Sequence, residues 1–269
     1  MKFIIAITCV LSFSFSYGQN NEYTNEEINL KLDSIMQEAN LLYRYERSSW
    51  VATDLATVNS KLKDKFSGYL TYKYEDTIKT ILFDKEQKKC IAEFCFTNDF
   101  NKPTTEILSE KELTLKQIEL LKTKNKIIEQ LSDTKYEISV PNGFSLNLIL
   151  MPENQGYKLY VITGTEQSNV IPFGNDYLFY TNKEGIIESW KKFHSRLIPA
   201  YTTAPNGATV VQAIHSHLRT TPFISATDIC TFKLYGRLCN LNEFSIYSPA
   251  LGKYLKYNLT KDKIEIIEK

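Results

Sequence analysis

An α+β fold in two lobes, each a long helix followed by a mainly antiparallel sheet, is what this sequence predicts. Three observations carry the expectation. Two segments repeat apolar residues at helical spacing behind capping signatures, each is followed by short runs rich in Tyr, Ile and Phe, and polar, hairpin-sized connections separate those runs. The first helix is expected over residues 24–46, with Thr24 and Glu27 as a capping box and Ile28, Leu32, Ile35, Ala39 and Leu42 along one face. Strands are expected at 68–74, 77–83 and 90–96, joined by Glu75-Asp76 and by residues 84–89. Residues 98–105, with Pro103, form the expected boundary, giving an N-terminal lobe at 19–103 and a C-terminal domain at 104–269. A second helix is expected at about 110–131, capped by Ser109 and Glu112. Strands are then expected at 144–150, 157–163, 177–180, 186–193 and 209–217, a helix at 226–239, and closing strands at 243–247, 253–257 and 263–267.

Composition narrows the classes of function. With 43% hydrophobic, 13% aromatic and 23% charged residues in 269, the chain has the means to bury a core and none of the marks of disorder. Lys and Arg number 32 against 31 acidic residues. That balance argues against a nucleic-acid binder working through phosphate neutralisation and against a polybasic membrane-surface protein. Residues 1–18 read as an export signal: Lys2 opens it, residues 3–16 are uncharged and mostly apolar, and Ser16-Tyr17-Gly18 offers a small-residue cleavage site before Gln19. No second apolar run follows, so the expected product is exported, periplasmic or secreted, with no span left after cleavage. Cys90, Cys95, Cys230 and Cys239 then remain, without a CxxC spacing, and are expected as buried free thiols.

The chemistry concentrates in one short stretch. His215-Ser216-His217 ends a strand, and residues two apart on a strand share a face. Seven residues later comes Ser225-Ala226-Thr227-Asp228, where Asp228 falls in the first turn of the next helix. Two imidazoles and one carboxylate, with a fourth position left to water, match the ligand set of a catalytic zinc site. The same Ser-x-x-Asp also serves as an ordinary helix N-cap, which needs no metal.

The run HSHLRTTPFISATD resembles the JAMM (JAB/MPN) metalloprotease motif, His-x-His, seven residues, Ser, two residues, Asp. The order of elements over about residues 105–269 is also similar to that family. The resemblance implies His215, His217 and Asp228 as zinc ligands, Ser225 as a stabiliser of the tetrahedral oxyanion, and a peptide or isopeptide bond in a peptide or protein as substrate. Leu218 stands where the family usually has Pro. The family's upstream glutamate, the general base, has three candidates: Glu166, 49 positions before His215; Glu153 in Glu153-Asn154-Gln155-Gly156; and Asp176, opening the strand at 177–180. The alternative reading is a non-enzymatic secreted or envelope protein that binds a partner, its JAMM-like domain catalytically degenerate. His194 is read first as a partly buried polar residue with one hydrogen bond, and second as a further ligand or supporting donor. No Gly-x-Ser-x-Gly elbow, phosphate loop or dinucleotide fingerprint occurs.

Overall fold

The computed structural model describes residues 23–203 and 208–268, so residues 1–18, read above as an export signal, lie outside the described residues. Helix α1 (Asn25–Val58) opens on the expected capping box: Glu27 N donates to Thr24 Oγ1 at 3.2 Å, and Thr24 N donates to the Glu27 carboxylate at 2.8 Å. It runs to Val58 rather than stopping at 46. The hydroxyl residues that suggest an end bond back to their own helix instead, Ser49 to the Tyr45 carbonyl at 3.0 Å, Thr53 to Ser49 at 2.9 Å and Thr57 to Thr53 at 2.8 Å. Val51, Ala52 and Ala56 meanwhile prolong the buried face.

Strands β1 (Gly68–Tyr74), β2 (Thr77–Phe83) and β3 (Lys89–Phe96) form the expected antiparallel meander. Two short strands, β4 (Thr105–Ile107) and β5 (Lys111–Glu112), both return to pair with β3, so sheet hydrogen bonding crosses the 98–105 segment. Because β5 uses Lys111 and Glu112, helix α2 (Leu115–Gln130) starts later than expected, capped by Thr114 and Gln117 rather than Ser109 and Glu112. Both tetrapeptides carry the signature; strand pairing, with Lys111 Nζ 2.6 Å from the Glu93 carboxylate, decides between them.

The remainder contains β6 (Ser145–Glu153), β7 (Gly156–Gly164), β8 (Val170–Gly174), β9 (Tyr177–Asn182), β10 (Ile187–Lys192), β11 (Leu197–Tyr201), β12 (Ala213–Ser216), α3 (Ala226–Tyr235), β13 (Glu243–Ser248), β14 (Lys253–Asn258) and β15 (Lys263–Ile267). They build an antiparallel sheet ordered β10-β9-β7-β6, a two-stranded ribbon of β8 and β11, and a sheet ordered β12-β13-β14-β15. β12 pairs parallel with β13; all the other named strand pairs are antiparallel. The β8–β11 ribbon escapes sequence reading for a definite reason. It places Pro172 opposite Pro199, and proline argues against strand wherever a ladder donor is required.

Among the described residues the chain is thus a mixed α/β protein with three α-helices and several mainly antiparallel sheets. One apolar core runs from Leu42 and Tyr45 of α1, through Phe94 and Phe96 of β3, to Phe232 of α3 and Phe244 and Leu255 of the last sheet. Phe173 of β8 lies 5.0 Å from the Phe244 ring and 6.4 Å from Phe232, and this aromatic packing floors the site described next. Among the described residues no helix is long and apolar enough to cross a membrane, and the four described cysteines are free.

Candidate metal centre

β12 alternates buried and exposed positions, so His215 faces inward while Ile214 is 59% exposed. His217 lies one step past the strand and stays in register because its N–H donates to the Tyr247 carbonyl at 3.0 Å. Its Nδ1 then reaches the Thr221 carbonyl at 3.2 Å. His215 rests against Phe173, ring centres 5.1 Å apart. Asp228 occupies the third position of α3, where Ser225 grips it: Ser225 N and Oγ donate to Asp228 Oδ2 at 3.0 and 2.7 Å, and Asp228 N donates to Ser225 Oγ at 2.9 Å. The other oxygen, Oδ1, is buried without a hydrogen-bond partner.

A third histidine joins them. His194 follows β10, and its Nδ1 lies 2.7 Å from Asp176 Oδ1. Asp176 is aimed by the turn before it, where Gly174 and Asn175 both take left-handed conformations (φ 77° and 52°). A side chain at Gly174 would come within 2.3 Å of the Arg196 carbonyl, so this turn requires glycine. The Thr227 hydroxyl donates to Asp176 Oδ2, tying that carboxylate to α3.

The four side chains His194, His215, His217 and Asp228 are all buried, and their ligand atoms lie within 4.8 Å of one another. The nearest separations are 3.0 Å (His194 Nε2 to His217 Nε2), 3.3 Å (His215 Nε2 to His217 Nε2), 3.1 Å (His217 Nε2 to Asp228 Oδ2) and 3.4 Å (His194 Nε2 and His215 Nε2, each to Asp228 Oδ1). A tetrahedral ion with bonds of 2.0–2.1 Å has edges of about 3.3–3.4 Å. The nearest separations approach those edges, within a cluster whose ligand atoms spread over no more than 4.8 Å.

Proton placement sharpens the argument. The Thr221 carbonyl can only accept, so His217 Nδ1 carries the hydrogen; the carboxylate of Asp176 imposes the same tautomer on His194. Both Nε2 atoms then present lone pairs, 3.0 Å apart and beside an unpartnered carboxylate oxygen. Such an arrangement needs a cation among them. Three imidazoles and one carboxylate suit a divalent transition metal rather than calcium or magnesium, which take mainly oxygen donors.

Without a metal the cation is a proton. Burial would pull the His194 pKa down, but the charges of Asp176 and Asp228, with the Asp176 hydrogen bond, outweigh it and raise it to about 9. Asp228 is held well below the ordinary carboxylate range: burial opposes this, and the charges of His194 and His215 overcome it. A histidine pKa raised on folding stabilises fully below its unfolded value of about 6.5 and loses that contribution as pH climbs through 9. The metal-free protein therefore loses stability from pH 6 to 9. The metal-loaded protein behaves oppositely in acid, gaining stability from pH 5 to 7 as protons cease to compete for the imidazoles. Thermal melts across pH, with and without chelator, check both slopes.

Of the residues singled out in the sequence, His215, His217 and Asp228 meet, and Ser225 stands directly behind Asp228. Asp176 is joined to the cluster through His194. Glu166 is exposed on the loop between β7 and β8, outside the cluster. Glu153 closes the β6–β7 hairpin and pairs with Lys158 at 2.8 Å. His194, read first as a polar residue with one hydrogen bond, belongs to the cluster itself; no spacing motif links it to the other ligands, and only the β10–β11 connection delivers it. No family model, curated protein or solved structure matches this chain. Fold and site by themselves define a mixed α/β protein with a buried His-His-His-Asp group close enough to hold a metal ion.

Proposed function

We propose that the protein is an exported zinc protein whose JAMM-like motif forms a closed, four-ligand structural centre in a catalytically degenerate domain. One observation carries the reading: four buried side chains, not three, bring ligand atoms within 4.8 Å of one another. Structural zinc sites are closed by four protein ligands, whereas catalytic sites keep one position open. His194 takes the position that a hydrolase leaves to water, and the carboxylate nearest to it, Asp176, is engaged with His194 and Thr227. The supporting contacts fit a structural role, since Asp176, the Thr221 carbonyl and Ser225 each orient a ligand. The N-terminal signal pattern supports export.

Cobalt(II) substituted into the protein tests closure. The expected spectrum is intensely tetrahedral and unchanged by added azide, because no exchangeable position exists; an azide-dependent spectrum contradicts the closed centre.

A second reading, a JAMM-like zinc hydrolase acting on peptide or isopeptide bonds, is favoured by one observation. His217 and Ser225 line a cavity of about 490 Å³, so a substrate has a route toward the centre. Hydrolysis assays on peptide and isopeptide substrates separate the readings. The closed centre gives background turnover, unaltered by Glu166→Gln or Glu153→Gln; turnover abolished by either substitution supports the hydrolase.

A further inference from the structure

The same cavity has chemistry that the metal centre does not use. Its inner wall is apolar and aromatic: Tyr160, Leu178, Phe193, Phe223 and Ile224 line it, with the Tyr160 and Phe193 rings stacked at 6.4 Å. Lys31 from α1 and Lys191 from β10 also line it, and both are exposed at its rim. Two acids share the lining, but both are engaged. Glu38 accepts from Lys158 Nζ at 2.9 Å and from the Tyr160 hydroxyl at 2.5 Å, and Glu27 closes the α1 capping box. The lysines have no carboxylate partner among the described residues; Lys191 Nζ lies over the Phe193 ring at 4.8 Å. Partial burial, and then the charge of Lys31, hold the Lys191 pKa below the ordinary lysine range. Finally Thr221, another lining residue, has a buried hydroxyl with no hydrogen-bond partner.

We propose that this cavity binds a small carboxylic acid with an aromatic body, its ring against Tyr160 and Phe193 and its carboxylate between Lys31 and Lys191. The volume lies in the range of small-molecule sites, which combine apolar walls with a few polar anchors. The anchors here are two cations that form no ion pair among the described residues, while Glu38 is engaged by Lys158 and Tyr160 and Glu27 by its helix cap, so an anionic head is favoured. Lysine supplies a point charge rather than a bidentate fork, which suits a single carboxylate at the mouth. The aromatic wall selects against a bare inorganic anion, because the ring supplies the buried apolar area.

The test is calorimetric titration of the metal-loaded protein with N-acetyl-L-phenylalanine, with its neutral amide and inorganic phosphate as comparison arms. The expected result is saturable binding of the acid, at least tenfold weaker binding of the amide, and no binding of phosphate. Lys31→Met and Lys191→Met should each weaken the acid about tenfold while leaving the melting temperature and metal content unchanged. Thr221→Val should weaken it several-fold. Equal affinity for acid and amide, binding of phosphate in place of the acid, undiminished acid binding in the double lysine variant, or no acid binding at millimolar concentration would each overturn the proposal. Because metal content is read on the same samples, loss of the acid site and loss of the metal centre are distinguishable.

Discussion

Treating the purified protein with a strong chelator lowers its melting temperature by about 8–16 °C, and adding zinc restores it. The size follows from linkage. A nanomolar site at micromolar free metal contributes about 4.1 kcal/mol, and a chain of this length shifts by about 2–4 °C per kcal/mol. The direction follows from where the ligands originate. His194 comes from the β10–β11 connection, His215 from β12 and His217 from just past its end, and Asp228 from α3, so one ion would fasten three segments that otherwise meet through lone pairs facing one another. Scanning calorimetry on loaded, stripped and reloaded samples checks the shift; a melting temperature indifferent to chelation contradicts it.

Asp228→Ala is the most damaging single substitution expected here, costing about 5 kcal/mol. It removes the metal contribution of about 4 kcal/mol and the reciprocal cap on α3, worth about 1 kcal/mol. It also takes a negative charge from beside three buried imidazoles, leaving His194 only Asp176. Asp228→Asn separates these effects. An amide oxygen can still accept from Ser225, so the helix start survives, but the anionic ligand is lost. The asparagine variant should fold, melt near the chelated wild type and fail to respond to zinc; the alanine variant should be less stable than either. Melting curves of both variants with and without zinc check this, and equal stability of the two would deny the cap its share.

These two roles of Asp228 show what the sequence could and could not convey. Ser-x-x-Asp reads equally as a helix cap and as half of a metal motif, and the structure satisfies both: Oδ2 serves the cap while Oδ1 faces His194 and His215. Local pattern suffices wherever the interaction is local. The meander β1–β3, the closing strands β13–β15 and the cap of α1 follow from alternation and capping alone. It fails where distant pairing decides, as when β5 claims Lys111 and Glu112 and shifts the start of α2, or when two prolines face each other across the β8–β11 ribbon. His194 belongs to that second kind. Nothing in Trp190-Lys191-Lys192-Phe193-His194 announces a ligand, and only the left-handed turn at Gly174-Asn175 sets Asp176 to orient its ring.

Elemental analysis of the purified protein after exhaustive dialysis tests the metal centre most directly. The four-ligand account predicts one zinc ion per chain, absent from the His215→Ala/His217→Ala double variant, with zinc outcompeting calcium and magnesium in reloading. A folded protein that holds no transition metal and takes none up from added zinc would contradict it.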